Sequence, residues 1–220
     1  MLVKDFAVIG LGRFGSSVAT TLYNMGHNVL GVDKDESRTN ALMRSLSKVV
    51  QADATDEETL RALGFRNYDV VVVGIGHDLE ASILITMMLK EMGVRHVTAK
   101  ASNRLHGRLL EKVGADRVVF PERDMGVRVA HHLVAPNVLD YLQLSPDYSI
   151  LELTVSKPFV GKSLGELDLR SKFGVTVMAI RRKEEINISP GAADVLRAGD
   201  IMVVIGHNDS LRRLESVLEG

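Results

Sequence analysis

AVIGLGRFG, residues 7–15, sets an apolar run directly against Gly10-Leu11-Gly12-Arg13-Phe14-Gly15, a G-x-G-x-x-G pattern. A strand that ends in such a loop and reopens as a helix is the phosphate-binding turn of nucleotide-binding α/β units. Each glycine has its own task there. Gly10 permits the tight turn, Gly12 lets a pyrophosphate approach the backbone, and Gly15 permits close packing of helix on strand. The amides at the start of the helix then face the phosphates. Asp33 ends the next apolar run, where a carboxylate accepts hydrogen bonds from ribose hydroxyls and repels a 2′-phosphate.

Working outward, short apolar runs recur at 6–10, 28–33, 48–53, 69–76, 96–100 and 117–120. Several are Val- and Ile-rich without polar alternation, the pattern of strands covered on both faces, so a parallel sheet is implied. Amphipathic stretches near 14–25, 36–46, 56–63, 78–92 and 103–113 are the helices between them. Asp56 and Asp78 are placed as N-caps, and Gly26, Gly64, Gly93 and Gly114 as C-terminal stops. Repeated strand–helix units make a Rossmann-like, doubly wound α/β domain.

The pattern changes after Pro121. A helical stretch over 122–134 leads into a turn-prone segment with Pro136, Asn137 and Pro146. Strands follow at 149–155, 175–182 and 200–206, with helical pieces near 163–171 and 208–219. The division is therefore expected at 135/136: residues 1–135 form the nucleotide-binding domain with its linking helix, and 136–220 a small α+β regulatory or dimerisation domain.

Composition narrows the function. Lys plus Arg number 27 and Asp plus Glu 28, so no polyanion-binding field is expected and nucleic acid is not the expected partner. The absence of cysteine excludes disulfides and thiol chemistry and fits a reducing cytoplasm. MLVKDFAVIGLG at the start has no signal-peptide pattern, and the longest apolar stretch, near Val70 to Ile75, is too short to span a bilayer. A membrane role would have to come through a partner.

The ligand of the loop is an adenine nucleotide, with ATP, ADP and NAD or NADH all compatible. Arg13 adds a positive charge inside the loop that could meet phosphates beyond a pyrophosphate, and Phe14 lies beside it. Asp53-Ala54-Thr55 and Gly74-Ile75-Gly76 end the third and fourth strands, and Lys100 ends the fifth. These ends face the same crevice in an open parallel sheet. An NAD-dependent oxidoreductase is the alternative reading, but it needs a positioned proton-transfer group. His77 is the best placed of the seven histidines, and the neighbours His131 and His132 cannot share a helix face. A redox-sensing repressor would need a helix-turn-helix segment and a basic stripe, and neither is present. Glu122 and Asp124, at the start of the linking helix, suit either the helix dipole or a cation site completed by a second copy.

AVIGLGRFG (7–15), GVDKDE (31–36), the Ala-Ser of DLEAS, KAxN (100–103) and GADRVVFPERDMG (114–126) resemble the KTN/RCK family, the KtrA/TrkA-type regulatory subunits of bacterial potassium uptake. GKSLGELDLRSKFGVTVMAI and LRAGDIMVVIG are similar to that family's C-terminal RCK domain. The resemblance implies a non-enzymatic cytosolic protein, a homodimer assembled into an octameric ring, peripheral at the inner membrane face on a potassium-translocating subunit. It implies that ATP and ADP favour different ring shapes. By the same resemblance, Gly10, Gly12 and Gly15 form the phosphate loop, and Arg13 contacts the terminal phosphate within the chain or across the dimer. Asp33 holds the ribose, and Glu122 belongs to an interface site for a divalent or monovalent cation such as Mg, Ca or Na. Cyclic di-AMP binds the family's C-terminal domain; Arg170 lies in the matching stretch, while Gly165 stands where a bulky aliphatic is expected.

Overall fold

A computed structural model describes residues 2–134 and 137–219. The chain divides into two compact units, Met1–Arg123 and Asp124–Gly220. The boundary expected at 135/136 lies outside the described residues.

The first unit runs β1 (Asp5–Ile9), α1 (Arg13–Asn24), β2 (Asn28–Asp33), α2 (Glu36–Leu42), β3 (Lys48–Gln51), α3 (Glu57–Leu63), β4 (Val70–Val73), α4 (Leu79–Glu91), β5 (Val97–Lys100), α5 (Arg104–Lys112) and β6 (Arg117–Val119). All strand pairs are parallel, in the order β3-β2-β1-β4-β5-β6. This is the Rossmann-like sheet expected from the six apolar runs. Successive side chains of a strand point to opposite faces, and both faces are covered here. Ala7 and Ile9 of β1 join one core cluster with Val71 and Val73 of β4, while Val8 and Val72 join the other with Val29, Ala19 and Leu46. That two-sided burial is why the runs are apolar throughout.

Helix starts follow local chemistry. Asp35, Asp56, Asp78 and Asn103 each accept a backbone N–H at the first turn of α2, α3, α4 and α5. α2 stops at Leu42, short of the expected 46: the Ser45 amide donates to the Leu42 carbonyl in a turn after which Leu46 is buried.

In the second unit, helix α6 (Pro121–Val134), which starts at the end of the first unit, is followed by β7 (Val138–Gln143), β8 (Tyr148–Thr154), α7 (Leu164–Leu167), α8 (Leu169–Phe173), β9 (Val175–Arg182), β10 (Glu185–Asn187), β11 (Ile201–His207) and α9 (Asn208–Glu219). The sheet is antiparallel, in the order β10-β9-β11-β8-β7. Its core includes Leu151, Leu153, Met202, Val204 and Leu214. The three strands read from sequence are the central three. The two edge strands were not read. β10 is three exposed residues, and β7 carries a register shift between Val138 and Asp140 that breaks its alternation. The helix expected over 163–171 is two short pieces, because Asp168 adopts φ 43° between them.

No helix among the described residues is long and apolar enough to cross a membrane.

Candidate functional site

A cleft of about 950 Å³ opens in the first unit at the carboxyl ends of the strands. The strand order reverses between β1 and β4, and ligands of open α/β sheets sit at that switch point. Gly10, Gly12, Arg13 and Phe14 form one wall. Asp33, Asp53, Ala54 and Thr55 come from the ends of β2 and β3, and Gly74, Ile75 and Gly76 from the end of β4. Lys100 and Glu122 close the far side. Every residue named from sequence for the nucleotide site lies on this wall except Gly15, which is buried beneath it.

The loop holds glycines of two kinds. A Cβ on Gly15 would stand 1.9 Å from the Gly10 carbonyl oxygen, and one on Gly74 would stand 2.8 Å from the same atom. Three backbone segments converge there, and Gly10 adopts φ 90°. Those glycines serve the fold. A Cβ on Gly12 would meet no protein atom within 4 Å. Packing within the chain therefore does not require glycine at 12.

The start of α1 differs from the other helices of the unit. Gly12 supplies no side-chain cap, and, as in α5, the first turn holds no acidic residue. Among the described residues no protein group accepts from the amides of Gly12, Arg13, Phe14 or Gly15; Ser16 is the first to donate, to the Gly12 carbonyl. Such a helix end carries partial positive charge and suits an anion. Arg13 is exposed beside it, and its side chain has no protein partner among the described residues.

Asp33 is buried. Its Oδ2 accepts from the Leu11 amide at 2.6 Å and from Arg38 Nη1 at 3.3 Å, and its Oδ1 accepts from the Asp35 amide at 2.9 Å. One carboxylate thus ties the glycine loop to α2. Arg38 and Lys34 also line the cleft, and the sequence reading missed both. The available signal was two basic residues within five positions of a strand-ending Asp. Asp53 is a turn former. Its Oδ1 accepts from the Thr55 hydroxyl at 2.7 Å and the Thr55 amide at 2.9 Å, and the hydroxyl bond leads in holding its carboxyl below the ordinary range.

Lys100 and Glu122 meet each other. Lys100 Nζ is 2.5 Å from Glu122 Oε1 and 5.7 Å from the centre of the Phe14 ring. The Lys100 hydrogen bond holds the Glu122 carboxyl below its usual range. Among the described residues no group of three or more His, Asp or Glu side chains could hold a metal ion. Among the described residues a single chain therefore supplies too few such side chains for a cation shell at Glu122.

His77 lies on the wall and is exposed, with no hydrogen bond to its ring among the described residues. The side chains of His131 and His132 lie outside the described ones. In the second unit, Arg170 is exposed on α8. The Gly165 amide donates to the Ala192 carbonyl at 2.8 Å, and a Cβ there would stand 3.1 Å from that oxygen. A bulky aliphatic at 165 would require that backbone to shift.

Residues 6–121 match the TrkA-N domain and residues 148–219 the TrkA-C domain. Over 212 residues the chain is 46% identical to Ktr system potassium uptake protein C of Bacillus subtilis (strain 168), covering 96% of each chain. It is 44% identical over 213 residues to Ktr system potassium uptake protein A of the same organism, covering 97% of this chain and 96% of the other. The crystal structure of the GsuK RCK domain is similar in fold, with a TM-score of 0.70 and 19% identity, over 100% of this chain and 48% of that one.

Proposed function

We propose that this chain, which belongs to the Ktr potassium-uptake family and carries both a TrkA-N and a TrkA-C domain, is a nucleotide-sensing regulatory subunit that gates a membrane potassium-translocating subunit from the cytoplasmic side. The observation that carries the nucleotide reading is the uncapped start of α1, beside a Gly12 that the fold does not require, facing the cleft. Phosphates would sit on the Gly12–Gly15 amides. Asp33 would take a ribose hydroxyl, and the small residues Ala54 and Gly76 leave room for the base and sugar.

ATP and ADP are the proposed ligands, with NAD or NADH as the second choice for the same loop. ATP and ADP share all but one phosphate, so a difference in gating needs a group that meets the third phosphate in one shape only. Arg13 is that group, on its own nucleotide or across a dimer. The active form would be a homodimer within a ring, commonly of eight subunits, docked as a peripheral assembly. A cation at Glu122 requires a second copy to supply ligands and to compete with Lys100. A non-enzymatic role is favoured over an oxidoreductase because the related proteins are potassium uptake proteins and His77 has no orienting partner among the described residues.

Gly12→Ala tests the phosphate placement. Its φ of −65° suits alanine, and its Cβ meets no protein atom. The variant should melt as the wild type does, yet bind ATP and ADP at least about tenfold more weakly by calorimetry, as expected when phosphate contacts are lost. Potassium flux in proteoliposomes holding the reconstituted complex should lose its nucleotide response. Unchanged binding in the variant would move the phosphates elsewhere. A wild-type chain that binds neither ATP nor ADP would sink the reading.

A further inference from the structure

The sequence assigns the ribose end a bare carboxylate, Asp33, which should turn away a 2′-phosphate. The structure places other charges there. Arg38 Nη1 lies 3.3 Å from Asp33 Oδ2, and Arg38 Nε lies 3.7 Å from Asp35 Oδ2. Lys34 lines the same part of the cleft. Asp53 lines it too, so the two cations offset two of three carboxylates here, and the bare negative charge expected from sequence is largely countered.

Acceptor capacity points the same way. A carboxylate has about four acceptor positions. Asp33 uses three, for the Leu11 amide, the Asp35 amide and Arg38. One position remains, on Oδ1, enough for a single ribose hydroxyl. The neighbouring ribose oxygen would face the Arg38 guanidinium instead of a free carboxylate oxygen. Arg38 is only loosely held, since its side chain is 41% exposed and both of its contacts are long. The pair with Asp35 is exposed on both sides and contributes little, so only the single 3.3 Å contact with buried Asp33 holds the guanidinium. A phosphate dianion offers the same fork a stronger, bidentate partner.

We infer that Arg38 is a specificity-determining residue of this cleft, and that the cleft accepts adenine nucleotides bearing a 2′-phosphate as well as those with a free 2′-hydroxyl. The inference rests on the nucleotide reading above. It changes what the ribose end selects, from rejection of the 2′-phosphate to its capture by Arg38 with Lys34 nearby.

The test uses the full chain and two ligands that differ by one group, ADP and its 2′-phosphorylated counterpart, adenosine 2′-phosphate 5′-diphosphate. Calorimetry gives the ratio of their affinities. In the wild type the 2′-phosphorylated ligand should bind within about tenfold of ADP. Arg38→Ala should lower the ratio about tenfold, the scale of one charge-assisted contact. Arg38→Gln should do the same, which guards against a folding defect peculiar to alanine, and Arg38→Lys should recover part of the loss. A wild type that binds ADP and discriminates more than tenfold against the 2′-phosphate would overturn the inference. So would a ratio unmoved by both the alanine and the glutamine variants. If ADP itself does not bind, the nucleotide reading has failed, an outcome separate from these.

Discussion

Each unit buries one carboxylate beside an arginine, and the two are used differently. In the second unit Asp200 receives Arg182 through two hydrogen bonds, at 2.9 and 2.6 Å, and the Arg197 amide at 2.9 Å. In the same unit α7 opens with a complete capping box, Ser163 and Glu166 each satisfying the other's backbone. In the first unit Asp33 also accepts three hydrogen bonds, but Arg38 holds it through a single long bond in place of a short pair, and α1 opens with no cap at all. Unsatisfied groups at a cleft are costly unless something arrives to meet them. The contrast separates polar residues that finish a fold from polar residues kept for a ligand.

The largest effect should come where the loop serves the fold. Gly15→Ala places a Cβ 1.9 Å from the Gly10 carbonyl oxygen, a backbone atom that cannot swing away. Loss of at least about 3 kcal/mol is expected, the upper range for overpacking. Thermal melting should show it, where Gly12→Ala in the same loop shows none. Equal melting of the two variants would erase the distinction between fold glycines and ligand glycines.

A smaller effect should mark the carboxylate held by two short arginine bonds. Asp200→Asn removes a charge-assisted pair and should cost about 1.5–3 kcal/mol near neutral pH. The hydrogen bond from Arg182 is the main cause holding the Asp200 carboxyl below its usual range. A depressed folded-state pKa contributes stability that is present above the unfolded value, near 4, and is lost as pH falls through the folded one. Denaturant titrations from pH 6 to pH 2 should therefore show a flatter acid limb in the variant. A limb as steep as that of the wild type would mean that Asp200 does not carry the dependence.

The smallest effect should lie at the open end of α1. Arg13→Ala removes a cation that has no protein partner among the described residues, so folding stability should change little. The ratio of ATP to ADP affinity should fall about tenfold or more, the range for one charged contact to the third phosphate. Calorimetry with both nucleotides measures it directly, and a ratio equal to that of the wild type would place the discriminating contact on another residue.

The sequence alone determined the doubly wound sheet, the glycine loop and the strand ends that line the cleft, though not Lys34 or Arg38 beside them. It could do so because these depend on patterns along the chain. Two-sided burial makes the strands apolar throughout, a tight strand-to-helix turn demands glycine, and a parallel sheet delivers its strand ends to one edge. It also located the three central strands of the second unit, but not β7 or β10, whose single-sided pairing leaves little pattern. The partners of the charged residues were decided by the tertiary structure. Lys100 and Glu122 are 22 positions apart, and only the packing of β5 beside the start of α6 brings their side chains to 2.5 Å. Arg38 sits five positions from Asp33, yet whether it turns toward that carboxylate or into solvent depends on the angle at which α2 leaves β2. Spacing in sequence fixes which residues share a strand end or a helix face. The distance between two long, flexible, charged side chains from different elements is set only once those elements have packed.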